Sequence, residues 1–89
     1  MEYEFIFRNS AFEHKLTEAD IRHAADLWSD ETCRYMGLYD ERENVYLLLG
    51  FDMKANPVEI LYNEIGENGV NVFHAMPCRS QFLTLFEED

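Results

Sequence analysis

The chain of 89 residues has room for one domain and one core, and at this length folding buries only ~60 to 65% of the surface the unfolded chain exposes. With 47% hydrophobic and 15% aromatic residues it lies in the globular range and away from disorder. Its 18 acidic and 7 basic residues, a formal charge of -11, weigh against a general polyanion binder, because phosphate binding is driven by Lys and Arg displacing counterions.

The chain begins "MEYEFIFRNS", with neither a basic leader nor a long apolar run, and Cys33 and Cys78 form no CxxC pair. The expectation is a cytoplasmic protein with reduced thiols. No run approaches the ~18 apolar residues of a membrane span, so no membrane is expected among its partners.

In chain order, "YEFIF" reads as a first strand that pairs at an edge or with the last strand. "LTEADIRHAADLWSD" then reads as the main helix, from Thr17 to Trp28. Thr17 is the N-cap, Glu18 and Asp20 lie in the first turn, and Ile21, Ala24, Ala25 and Trp28 are spaced as one buried stripe. Glu18 and Arg22 form an i,i+4 pair in the favoured order.

From residue 32 the period changes. "TCRYMGLY", "VYLLLGF", "PVEILYNEI" and "VNVFHAM" are rich in β-branched and aromatic residues and are separated by turn-forming breaks, which predicts a four-stranded antiparallel meander. Asn68-Gly69 suits a tight primed turn before the last strand. The helix must cover one face of this sheet, giving a two-layer α+β domain over residues 1–89. A short C-terminal helix follows, with Ser80 as N-cap and Phe82, Leu83 and Phe86 inward. Glu87, Glu88 and Asp89 crowd its negative pole, so its end should fray.

The candidate chemistry gathers in "HAMPCRSQF". Metal-independent RNA cleavage asks for a base near the 2'-hydroxyl, an acid near the 5'-oxygen and cations around the phosphate. His74 and Arg79, on either side of Pro77, can converge as acid or base and as phosphate clamp. The competing reading makes His74 a half-buried strand residue and Arg79 a tie for the final helix. His14, before the helix, and Arg42, in the first hairpin turn, are the further candidates, each with a structural alternative as a loop residue or a solvated turn charge. Arg34 is another cation that could reach the sheet face.

Only one loose pair, His74 and Cys78, has metal-ligand spacing, so neither metal nor cofactor is expected. Nothing marks Cys33 or Cys78 as an activated nucleophile. Tyr35, Tyr46, Tyr62 and Phe73 could stack bases, although alternation assigns many of them to the core.

Over nearly its whole length the sequence resembles the BrnT-type toxins of bacterial toxin-antitoxin pairs. The likeness is carried by "YEFIF", "EHKLTEADIRHA" leading into the helix, Arg42 shortly before "YLLLG", "VEILYNEI", and above all "HAMPCR", which fits a His-Ala-Met-Pro-x-Arg ending. It departs from the family pattern at Glu13, where a lysine is common, at Met76 after Ala75, and in its acidic final helix. The resemblance implies a RelE-like fold and a cognate antitoxin as partner. It also implies a metal-independent ribonuclease, whose activity the departures make weak or lost. The alternative is a non-catalytic acidic module that binds a basic protein. RNA is a partner of the first reading that the charge disfavours, and a homodimer is compatible with either.

Overall fold

The computed structural model describes residues 4–25 and 33–86, and the side chains from Tyr35 onward in the second part. Trp28, the side chains of Cys33 and Arg34, and the acidic tail after Phe86 lie outside the described residues, together with the expectations placed on them.

Five strands form one mixed sheet: β1 (Glu4–Phe7), β2 (Cys33–Asp40), β3 (Val45–Phe51), β4 (Pro57–Ile65) and β5 (Gly69–Pro77), in the order β1-β5-β4-β3-β2. The last four are the expected antiparallel meander. β1 joins the last strand, and it does so in parallel, from Glu4 opposite Gly69 to Phe7 opposite Val72. A parallel neighbour needs a crossover, and the segment holding the main helix supplies it.

That helix, α1 (Glu18–Ala24), has Ala25 as its C-cap, and the rest of the expected stripe lies outside the described residues. Its start follows the sequence. The Asp20 N–H donates to Thr17 Oγ1 at 3.1 Å while the Thr17 N–H donates to Asp20 Oδ2 at 3.0 Å, a reciprocal cap. Arg22 Nε donates to Glu18 Oε2 at 2.9 Å, and the guanidinium also lies 5.0 Å from the Phe5 ring centre and 5.2 Å from that of Phe7.

Ile21, Ala24 and Ala25 pack on Leu48, Val58, Ile60, Tyr62, Val70 and Val72, with Phe5 and Phe7 beside them. This is the front face of the sheet and holds the main core. Burying each of its large aliphatic side chains stabilises the fold by ~1.5–3 kcal/mol.

On the back face, Leu47 and Leu49 pack against Phe82, with Tyr35, Leu61, Leu85 and Phe86 around them. Phe82 belongs to α2 (Ser80–Leu83), which continues as a 3-10 turn, Thr84–Phe86. Two expectations change here. Arg79, not Ser80, is the N-cap residue, and Leu83 is exposed while Leu85 turns inward. The tightening from α to 3-10 geometry shifts which positions face the sheet. The turn before β5 also differs from the expectation. Its left-handed residue is Gly66, at φ 65°, and neither Asn68 nor Gly69 has a positive φ. A glycine adopts that conformation at no steric cost.

Candidate functional site

α2 and its 3-10 turn cover only the β2–β3 side of the back face. On the β4–β5–β1 side, strand alternation places a carboxylate where the front-face pattern would place nothing polar. Val58, Ile60 and Tyr62 fill the front core, so Glu59 and Leu61 point back. The Glu59 side chain is 0% exposed.

A buried carboxylate must be paired, and Glu59 is. Arg79 Nε lies 2.9 Å from Oε1, Arg79 Nη2 lies 2.7 Å from Oε2, and the Arg79 backbone N–H donates to Oε1 at 2.9 Å. His74 Nε2 sits 3.3 Å from Oε2. Burial pushes the Glu59 carboxyl up, but the bonds and charge of Arg79, with the His74 contact, outweigh it and hold the carboxyl below its ordinary range. Arg79 is correspondingly raised, chiefly by its bonds to Glu59. An ionised carboxylate only accepts hydrogen bonds, so the His74 tautomer that bonds Glu59 carries its proton on Nε2.

His74 owes its aim to a bulge. Leu61 pairs with His74 but Tyr62 pairs with Val72, so Phe73 is the extra residue on β5. The carbonyl of Phe73 is taken by the Ser10 hydroxyl, which donates to it from a short 3-10 helix, Asn9–Phe12. The Arg8 N–H donates to the Val72 carbonyl at 2.9 Å, fixing the start of the same segment.

Beyond this helix the chain turns at Lys15, φ 69°, and His14 comes to stand against His74, ring centres 5.8 Å apart and edge to face. His14 is exposed, and the His74 side chain is 24% exposed. Two imidazoles thus meet at one open place, and one of them, His74, shares the buried acid with the Arg79 guanidinium, which also lies over the Phe82 ring, 5.4 Å from its centre.

The structure brings His74, Arg79 and His14 together and leaves Arg42 out. Arg42 is exposed in the β2–β3 turn, where its N–H donates to Asp40 Oδ1 at 3.0 Å. Two strand spacings separate β3 from β5, ~10 Å before any offset along the strands. The same geometry also fits the competing structural reading, since His74 is a partly buried strand residue and Arg79, the N-cap residue of α2, ties that helix to Glu59 on β4.

Glu59 was not among the candidates from sequence, although a signal exists. It is the one charge inside the strand run Val58-Glu59-Ile60-Leu61, where a solvated acid would be out of place.

The remaining candidates have structural roles. Tyr46 and Tyr62 stack with centres 5.5 Å apart on the front face, and Tyr35 packs in the back-face cluster. His23 Nδ1 bonds the Phe51 carbonyl at 2.8 Å and ties α1 to the end of β3. Burial first, and then the charge of Glu59, raise the Cys78 thiol, the opposite of an activated nucleophile. Among the described residues no three His, Cys, Asp or Glu side chains group as metal ligands, and no helix is long and apolar enough to cross a membrane.

No family model matches the chain, and no curated protein or solved structure matches it either.

Proposed function

We propose that the chain is a toxin-like member of a bacterial toxin-antitoxin pair, of BrnT type with a RelE-like fold, that cleaves single-stranded RNA without metal at His74, His14 and Arg79. One observation carries this reading: a fully buried carboxylate, Glu59, holds both a histidine and an arginine, and that histidine stands against a second one at an open surface.

The chemistry follows from the atoms available. His74 Nδ1 takes the proton of a ribose 2'-hydroxyl, and the 2'-oxygen forms a bond to phosphorus. The bond from phosphorus to the 5'-oxygen breaks, and His14 gives that oxygen a proton. The products are a 2',3'-cyclic phosphate and a 5'-hydroxyl, with protons and electrons balanced. Arg79 Nη1 has no partner among the described residues, so it can meet the charged phosphate while Nε and Nη2 hold Glu59.

The test is to incubate the purified chain with single-stranded RNA in the presence of a metal chelator and to identify the ends produced. The expected result is slow cleavage leaving 2',3'-cyclic phosphates, with a bell-shaped pH profile because one imidazole must be neutral and the other protonated. Cleavage that needs a divalent metal, or that leaves 5'-phosphates, contradicts the mechanism.

The charge of -11 favours a second reading, a non-catalytic module that binds a basic partner. Wild-type protein that cleaves no RNA, with a His74→Ala variant that is destabilised, selects this reading. A short adjacent reading frame encoding a DNA-binding antitoxin bears on the paired system under either.

A further inference from the structure

The uncovered part of the back face continues past the histidines along β5 toward β1. Three residues before His74, Asn71 faces the same side and is only 9% exposed. Its Oδ1 accepts from Arg8 Nε at 2.8 Å, and its Nδ2 lies 3.5 Å from Asn63 Oδ1. Asn63 Nδ2 in turn donates to the Asn44 carbonyl at 2.9 Å. Opposite Asn71 on β1 stands Ile6, 42% exposed.

We infer that Arg8, held in place by Asn71 and flanked by the exposed Ile6, forms a second subsite that takes the phosphate and base next to the scissile linkage of single-stranded RNA. The inference rests on the cleavage reading given above and extends it to how the substrate lies.

Local charge supports it. In a chain of net charge -11, four basic side chains, Arg8, His14, His74 and Arg79, border this half of one face. The carboxylate among them, Glu59, is already paired, while Glu4 lies at the far end of β1 and Glu13 in the loop beside His14. Arg8 is held by one bond through Nε, so its two outer nitrogens remain to receive a phosphate, without partners among the described residues.

The amides position Arg8. Asn71 and Asn63 are engaged with Arg8, with each other and with the Glu43 and Asn44 carbonyls, while the half-exposed Ile6 offers an unpaired base an apolar floor. Asn71 lies ~10 Å along β5 from His74, a span that Arg8 shortens by its own reach. A flat sheet face with phosphate contacts beside it suits an unpaired strand and not a duplex groove.

The experiment measures binding apart from cleavage, by fluorescence anisotropy at low salt. Its probes are a single-stranded hexaribonucleotide with every 2'-oxygen methylated and a dinucleotide of the same chemistry with one phosphate. Arg8→Gln keeps a donor for Asn71 and removes the charge, and its melting curve checks the fold. It should bind the hexamer roughly 10-fold more weakly than wild type, as expected for a lost charged hydrogen bond. Its salt dependence should fall by about one phosphate contact. The dinucleotide should bind both proteins alike, and Arg8→Lys should restore part of the loss.

Equal hexamer affinity in Arg8→Gln overturns the subsite, as does wild-type protein that binds no hexamer, or an equal loss with the dinucleotide. Arg8-dependent binding without cleavage of unmodified RNA supports the subsite and removes the catalytic reading. Cleavage with no Arg8 dependence removes the subsite alone.

Discussion

The two faces of the sheet differ in what fills them. The front carries α1 over Leu48, Val58, Ile60 and Val72 and is mainly apolar, with a cavity left between Ile21 and Ala25 of the helix segment and Met36, Leu48, Ile60 and Tyr62 of the sheet. The back is closed only where Phe82, Leu85 and Phe86 meet Leu47 and Leu49, and the rest carries Glu59, His74, Asn71 and Asn63. Both faces come from the same alternating strands, so a single residue offset decides between core and chemistry. A stability role for the back-face polar groups would have been met more cheaply by aliphatic side chains, since a buried ion pair is often no better than a packed apolar pair. In the proposed function Glu59 positions His74 and Arg79.

The largest effect that could break this contrast is on the front. Ile60→Ala should cost ~2–5 kcal/mol, because Ile60 is 1% exposed and its removal leaves a cavity under α1. Denaturant unfolding measures this, and a cost below about 1 kcal/mol would show the front core to be loosely packed.

On the back, Glu59→Ala should cost less, about 2–3 kcal/mol. Breaking a fully buried pair costs ~3–5 kcal/mol, but the Arg79 side chain is 43% exposed and can be solvated once freed. The same variant should lose cleavage far beyond its loss of stability, which separates positioning from packing.

Acid should act through the same groups. The Glu59 carboxyl is held low in the folded chain, and so is that of Asp20, chiefly by the Thr17 N–H. A carboxyl lowered by folding adds stability above the ordinary carboxylate value of ~4 and loses it as pH falls through the lower folded value. Melting temperatures taken from about pH 6 down to about pH 2 should fall, and the fall should be shallower in Glu59→Ala.

The smallest effect belongs to the front-face helix start. Asp20 accepts from Thr17 at 3.0 Å and from the Met53 N–H at 3.1 Å, so Asp20→Ala removes a cap and a tie to the β3–β4 turn. The expected cost is ~1 kcal/mol, with no change in cleavage.

How far the sequence shows all this depends on whether a feature is local. The meander, the Thr17 cap and the Glu18–Arg22 pair follow from spacing within one segment, and each is present. The parallel pairing of β1 with β5 joins residues more than sixty positions apart, and only its partner strand was legible. Among the site residues, His74 and Arg79 stood out in one short stretch. Glu59 did not, because it belongs to the site only once β4 lies beside β5. The bulge at Phe73 that aims His74, and the turn at Lys15 that brings His14 to it, are likewise products of tertiary contact. Arg42 looked equivalent to the others in sequence and is set apart by strand order alone.

Whether the back-face cluster around Glu59 cleaves RNA is decided by comparing His74→Ala with Arg42→Ala under a metal chelator, each with its melting curve. His74→Ala should stay folded and lose cleavage by ~10²-fold or more, as for removal of a general base, while Arg42→Ala should cleave like wild type. Cleavage unchanged in folded His74→Ala, or lost in Arg42→Ala instead, would contradict the proposed function.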